Sequence, residues 1–300
     1  MKLKHVLRAV SWTLSLAAII YFVRIVARTG LTTSGLTGGQ LVGVVALGAA
    51  IYGLSVALLA MLWSALVVIE PASRNHRSEV VSIYLISQFG KYLPGNVFQY
   101  VGRHMLGRQL GIGHSRLAAA AVMEALLLAV GSAVLVLSLG RHVLHALIPS
   151  IPPIPAIAGA VPLLMLPVVT WLPGRFRALS WIPAYRLPKL ASLTVGYMVF
   201  FTIFGTLYWA LLLWLSPSPA QPIHSVIGAS STAWLVGFLV PGAPAGAGLR
   251  EAALALAAGG HHPEPSTLTA ILLFRLITLG GDLLAFLAGH ILKALHATAT

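Results

Sequence analysis

Apolar residues occur in long runs along this 300-residue chain. A run of about 20 apolar residues is long enough to cross a bilayer as a helix. Six runs approach or exceed this length, at 9–28, 41–69, 117–139, 155–172, 190–215 and 268–292. The pattern therefore predicts an all-α, polytopic membrane protein in which residues 1–300 form a single integral membrane domain.

Two further apolar regions, 79–103 and 223–259, are interrupted near their middles. The first contains Lys91-Tyr92-Leu93-Pro94-Gly95 and the second contains Pro241-Gly242. Proline lacks an amide donor and glycine is a poor helix former, so neither region is expected to continue as one helix. Irregular backbone at membrane depth is tolerated only inside protein or beside a water-filled cavity. We therefore interpret both regions as re-entrant helical hairpins.

The composition agrees with a lipid environment. Hydrophobic residues make up 58% of the chain and charged residues 8%, whereas a soluble domain carries about 25% charged residues. The absence of cysteine excludes disulfides and thiolate metal sites. The net charge of +13 reflects the concentration of basic residues in cytoplasmic loops and does not indicate nucleic-acid binding.

The positions of the basic residues predict the topology. If the N-terminus is cytoplasmic, six spans and two hairpins place most of the 19 Lys and Arg residues on the cytoplasmic side and leave both termini there. The hairpins then enter from opposite sides of the cytoplasmic (inner) membrane. In each, seven residues separate the Pro-Gly pair from an arginine, Arg103 in the first and Arg250 in the second. This match predicts an inverted repeat, and paired broken helices mark the binding sites of transporters.

Several charges fall in the apolar segments or at their breaks. They are Lys91, Glu124, Arg250, Glu251, Arg275 and Asp282. Each would cost about 2.5–3.5 kcal/mol at the centre of an isolated membrane helix. Six unpaired charges would exceed a typical folding stability, so they must pair with one another or line water.

The residue spacing indicates how some of these charges are arranged. Arg275 and Asp282 are seven residues apart, which places them on one stripe of the last helix but too far apart for a direct ion pair. Arg250 and Glu251 begin a half-helix whose free amides favour an anion. Structural ion pairs that hold the helices in register are the alternative interpretation of the same residues.

These motifs resemble a known family. Lys91-Tyr92-Leu93-Pro94-Gly95, Gly102-Arg103, Glu124, Pro241-Gly242 and Arg250-Glu251 are similar to sequences of the lysylphosphatidylglycerol synthase transmembrane-region family, a flippase-like membrane domain. The resemblance implies lipid movement across the membrane, with aminoacylated or isoprenoid-linked lipids as substrates. Lipid aminoacylation is not implied, because the chain ends soon after its last span.

We therefore expect a lipid translocator that holds an anionic headgroup between the two breaks, and we expect no enzymatic activity, cofactor or metal. The expected partners are a lipid substrate and the bilayer, with homo-oligomerisation left open. An accessory subunit of lipid synthesis is the alternative. An intramembrane enzyme is disfavoured because neither a His-Glu-x-x-His nor a Gly-x-Ser-x-Gly motif occurs. The candidate substrate-binding residues are Lys91, Tyr92, Pro94, Gly95, Asn96, Gln99, Arg103, Glu124, Pro241, Gly242, Arg250, Glu251, Arg275 and Asp282.

Overall fold

The computed structural model describes residues 24, 37–67, 77–93, 97–140, 143–144, 155–176, 179, 181–183, 185–216, 221–240, 244–259 and 263–297. Nearly all of these residues are helical, and none of them forms a strand. The α-helices are α1 (Gly38–Val67), α2 (Arg77–Ser87), α3 (Phe98–Gln109), α4 (His114–Leu139), α5 (Met165–Arg175), α6 (Leu187–Leu215), α7 (Ile223–Leu239), α8 (Leu249–Gly259) and α9 (Pro265–Ala297). Three 3-10 helices lie at Gln88–Tyr92, Ala156–Leu164 and Pro244–Gly246.

The part of the chain that the structure describes has five helices long and apolar enough to cross a membrane. Four of them are α1, α4, α6 and α9, and the fifth combines the second 3-10 helix with α5. They correspond to five of the six predicted spans, and the sixth, 9–28, lies almost entirely outside the described residues. The protein is therefore a polytopic helical membrane protein, as predicted.

The fourth predicted span, 155–172, begins differently from a regular α-helix. Its first nine residues, Ala156–Leu164, form a 3-10 helix, and α-helical geometry starts only at Met165. Pro162 lies inside this segment and cannot donate an amide hydrogen bond to the preceding turn. 3-10 turns are frequent at the N-termini of α-helices, which is where this segment lies relative to α5.

Both predicted hairpins contain a break between two helices. In the first hairpin, defined here as residues 77–109, α2 packs against α3; in the second, residues 223–259, α7 packs against α8. At about 1.5 Å per residue, none of these four arms reaches the roughly 30 Å of a bilayer core. Short arms that pack on each other around a break are the arrangement that a re-entrant hairpin requires.

The long helices surround the hairpins and hold their arms. The last helix, α9, packs against α1, α2 and α6, while α7 packs against α4, α6 and α8. An aromatic cluster of Tyr52, Phe200, Phe204 and Phe274 lies where α1, α6 and α9 meet. This framework places both breaks beside α9.

Candidate functional site

The breaks of the two hairpins lie against each other. The 3-10 helix Gln88–Tyr92 of the first hairpin contacts the 3-10 helix Pro244–Gly246 of the second. The second break needs left-handed backbone, with φ of 49° at Ala245 and 70° at Gly246. The predicted site residues Pro94, Gly95, Asn96, Pro241 and Gly242 lie outside the described residues. The contact between the two 3-10 helices brings the described parts of the two breaks together, and the shared substrate site stays a prediction.

The first break is held to the last helix by a buried carboxylate. Lys91 Nζ lies 2.8 Å from Asp282 Oδ1 and 2.7 Å from Oδ2, and the Tyr92 hydroxyl donates to Oδ2 at 2.5 Å. Asp282 is fully buried on α9. The two donors are adjacent residues of the break, so the break and α9 are joined through this single carboxylate.

A second ion pair ties the returning arm of the first hairpin to the next long helix. Arg103 on α3 donates to Glu124 on α4 through Nη1, and the Tyr84 hydroxyl donates to the same carboxylate at 2.8 Å. Arg103 also donates from Nε to Ser87 Oγ at 3.1 Å. Its guanidinium carbon lies 3.8 Å from the centroid of the Tyr84 ring. These contacts fix Arg103 in one position.

The third ion pair joins the second hairpin to the last helix. Arg275 Nη1 on α9 lies 3.4 Å from Glu251 Oε1 on α8, and it also approaches the Ala245 carbonyl at 3.4 Å. Glu251 Oε2 accepts a hydrogen bond from the Gly248 amide at 2.7 Å, which closes the N-terminus of its own helix. The expected anion at this half-helix start is therefore provided in part by Glu251 itself.

Helix α9 consequently clamps both hairpins. The sequence predicted that Arg275 and Asp282 would lie on one stripe without bonding to each other. The structure pairs them with different hairpins, Arg275 with the second and Asp282 with the first. The buried charges thus pair as the insertion cost required, and three of the predicted acids are each matched to one base.

Arg250 is the exception among these buried charges. No carboxylate of the described residues lies within ion-pair distance of its guanidinium, and its buried Nε has no hydrogen-bond partner. The guanidinium carbon lies 5.6 Å from the Trp234 ring centroid, a cation–π contact that compensates little of the charge. The buried cluster consists of four bases and three acids, and with all seven ionised its net charge is +1. Its members are Lys91, Arg103, Arg250, Arg275, Glu124, Glu251 and Asp282.

Arg250 lines a cavity between the hairpins. The cavity is about 60 Å³, room for a few water molecules but not for a lipid headgroup in this conformation. Its wall contains four predicted site residues besides Arg250, namely Lys91, Gln99, Arg103 and Glu124. Glu251, Arg275 and Arg250 line a smaller neighbouring cavity of about 20 Å³, so Arg250 stands at both.

Several wall residues were not identified as site residues from the sequence. The polar and aromatic ones are Tyr52, Tyr84, Tyr100, Phe200, Trp234 and Phe238. A periodic signal marks some of them, because Tyr84, Gln88 and Lys91 follow the i, i+4, i+7 spacing of one helix face. Trp234 and Phe238 are likewise four residues apart and stack with ring centroids 4.9 Å apart. Helical spacing from Lys91 would have found the first set.

The described residues contain no group of three or more His, Asp or Glu side chains placed to hold a metal ion. Comparison with protein-family models, curated proteins and solved structures finds no match for this chain. The resemblance to the lysylphosphatidylglycerol synthase transmembrane region therefore stays a prediction from the motifs.

Proposed function

We propose that this protein is a lipid translocator that binds the anionic headgroup of its substrate in the cavity between the two hairpins. The lipid tail stays in the bilayer while the headgroup passes the breaks. The substrate class is an anionic lipid, with aminoacylated or isoprenoid-linked lipids suggested by the motif resemblance. The protein is placed in the cytoplasmic membrane with both termini in the cytoplasm.

The observation that carries this proposal is the unmatched Arg250. A structural network would be expected to balance its buried charges, since an uncompensated charge at membrane depth is costly. Here three acids are matched to three bases and Arg250 is left over beside a cavity. Arginine binds phosphate through two parallel hydrogen bonds, so a phosphate-bearing headgroup supplies both the missing charge and the missing acceptors.

The other two basic residues of the cavity, Lys91 and Arg103, differ in how freely they can reach a ligand. Lys91 is partly exposed to the cavity, with 16% of its side chain accessible, and its ammonium can turn toward a ligand. Arg103 is 3% exposed and held by Glu124, Ser87 and aromatic rings, so it contributes a fixed field rather than a mobile contact. Arg250 and Lys91 are therefore the residues that we expect to touch the headgroup.

The small size of the cavity makes conformational opening part of the proposal. The two breaks contact each other, and each is tied to α9 by one ion pair. Parting the breaks would enlarge the cavity without unfolding either hairpin. Hairpins that enter from opposite sides would then give the headgroup access to each side in turn.

The proposal is tested by reconstitution into phosphatidylcholine liposomes that contain fluorescent phosphatidylglycerol or fluorescent phosphatidylcholine. Wild-type protein should move the anionic probe between leaflets faster than protein-free liposomes do, and faster than it moves the zwitterionic probe. The Arg250→Met variant should lose this activity, whereas Arg186→Met, a matched change at an exposed arginine before α6, should keep it. Equal movement of phosphatidylglycerol by wild type and Arg250→Met would remove Arg250 from the mechanism. No movement of a broad panel of anionic lipids by folded protein would favour the accessory-subunit alternative.

A further inference from the structure

The three buried ion pairs differ in their chemistry. In the Arg103–Glu124 and Arg275–Glu251 pairs the base is a guanidinium, which does not lose its proton in proteins. Protonating either Glu would leave a permanent positive charge without its carboxylate partner in the protein interior. Asp282 is paired instead with a lysine, and both of its donors come from the first break. The Asp282 pair is therefore the one of the three whose base can either release its proton or swing into the cavity.

The partners of the three acids also distinguish Asp282 from Glu124 and Glu251. Glu124 is held by Arg103 and Tyr84, which both belong to the first hairpin, and Glu251 closes the start of its own helix. Neither contact joins the two breaks. The Glu251–Arg275 pair joins the second hairpin to α9, and Asp282 is the one of the three acids whose loss of charge would remove the ion pair between the first break and α9.

We propose that Asp282 is the proton-binding residue that couples protonation to headgroup binding. This inference rests on the proposed function. Lys91 lines the cavity, passes a proton to a carboxylate oxygen of the fully buried Asp282, and takes up a proton from cavity water in its place, which breaks the ion pair and leaves a charged, free Lys91. Lys91 then joins Arg250 on the headgroup phosphate. When the phosphate leaves, Lys91 returns to Asp282 and the proton is released to water.

The charge balance makes this coupling useful. Protonating Asp282 raises the charge of the buried cluster from +1 to +2, which strengthens its attraction for an anion. A phosphodiester carries one negative charge, so a lipid and a proton that move together carry no net charge across the membrane. Within the described part of the chain, the other titratable groups near the pair are Tyr92 of the first break, Tyr52 on α1, Arg250 on α8 and Arg275 on α9. None of these four is a carboxylate that could take the proton in place of Asp282.

A distance measurement tests, independently of transport, whether the Lys91–Asp282 ion pair acts as a latch that holds the first break to α9. The chain has no cysteine, so Leu93→Cys at the first break and Val195→Cys on α6 introduce the only two thiols for spin labels. Both positions are exposed, at 50% and 59%. In wild-type protein in nanodiscs, acidification should shift the distance distribution between the labels. The Asp282→Asn variant should give the acidic distribution at every pH, whereas Glu264→Gln, an acid-to-amide change at the exposed start of the same helix, should behave like wild type.

A second variant keeps the test decisive if Asp282→Asn does not fold. The double variant Lys91→Gln with Asp282→Asn removes both charges, leaves none unpaired, and should also give a pH-independent distribution. A wild-type distribution that does not change with pH, or a pH-dependent shift that persists in these variants, would overturn the inference.

A transport measurement separates this inference from the proposed function. Liposomes with fluorescent phosphatidylglycerol and an internal pH dye should show one proton moved with each lipid by wild type, and none by Asp282→Asn. Lipid movement without proton movement would overturn the role of Asp282 and leave the translocator proposal standing. Absence of lipid movement together with a pH-dependent distance shift would overturn the translocator proposal and the coupling of proton to lipid. The pH-dependent release of the first break from α9 would then still stand.

Discussion

Replacing Glu124 by leucine should destabilise the protein strongly, because it leaves Arg103 charged and unpaired in the interior. Arg103 is 3% exposed and Glu124 is 1% exposed, and the cavity that they line has room for only a few water molecules, which replace the lost carboxylate poorly. Breaking a buried ion pair by removing one partner costs about 3–5 kcal/mol. The Tyr84 hydroxyl loses its acceptor as well, which adds to the cost.

The aromatic rings around Arg103 limit this loss. Its guanidinium carbon lies 3.8 Å from the Tyr84 ring centroid, 5.5 Å from Tyr100 and 5.7 Å from Trp63. A desolvated cation–π contact contributes about 2 kcal/mol, and these contacts remain in the variant. We therefore expect the free energy of unfolding to fall by about 3 kcal/mol, the lower end of the range.

Equilibrium unfolding in mixed micelles measures this free energy, and a double variant isolates its cause. Adding Arg103→Met to Glu124→Leu removes the orphaned charge, so the double variant should be more stable than the single one by about 2 kcal/mol or more. The matched control Glu264→Leu changes an exposed acid and should shift stability by less than about 0.5 kcal/mol. A loss below about 1 kcal/mol in Glu124→Leu, or a double variant as unstable as the single one, would refute the reasoning.

Three further predictions follow from the same contacts. Gly228→Ala should destabilise the protein by about 1–3 kcal/mol in the same unfolding assay, because a Cβ there would lie 2.3 Å from the Gly140 amide nitrogen; Gly43→Ala, where a Cβ meets no atom of the described residues within 4 Å, should be neutral. Arg250→Met should not lower stability and should raise it by up to about 1 kcal/mol, since it removes a buried Nε that has no partner in the described part of the chain; a clear loss would indicate a structural role. Arg275→Met should cost less than Glu124→Leu, because Glu251 keeps its hydrogen bond from Gly248; an equal or larger loss of stability would contradict this ranking.

The sequence predicted the helices better than it predicted the partners of the buried charges. Long apolar runs identify spans directly, and the five spans within the described residues lie within a few residues of their predicted positions. The requirement that the charges pair also followed from insertion cost. However, Lys91 and Asp282 are 191 residues apart, and nothing in the local pattern of either segment identifies the other. Such pairings depend on how hairpins pack against α9, which hydropathy does not specify.

The arginines show the same limit. Arg103 and Arg250 occupy matching positions after the two breaks, so the sequence predicts the same substrate-binding role for both. In the structure Arg103 is bound by Glu124, Ser87 and aromatic rings, while Arg250 finds no acceptor for its Nε among the described residues. The difference arises from the long helix that follows each hairpin. After the first hairpin, α4 provides the carboxylate of Glu124 to Arg103. After the second hairpin, α9 provides a base, Arg275, which pairs with Glu251. The motif therefore predicted that both arginines lie near the breaks. Only their neighbours in the tertiary structure show that Arg103 is held by an ion pair and that Arg250 is available to a ligand.

The central claim is that Arg250 holds an anionic headgroup, and ligand-dependent stability tests it most directly. Phosphatidylglycerol and phosphatidylcholine would each be titrated into detergent-solubilised wild type and Arg250→Met, with the free energy of unfolding measured at each concentration. A ligand at about 100 times its dissociation constant stabilises the native state by about 2.7 kcal/mol. Phosphatidylglycerol should stabilise wild type whereas phosphatidylcholine should not, and Arg250→Met should lose most of this stabilisation. Equal stabilisation of both proteins by phosphatidylglycerol would contradict it.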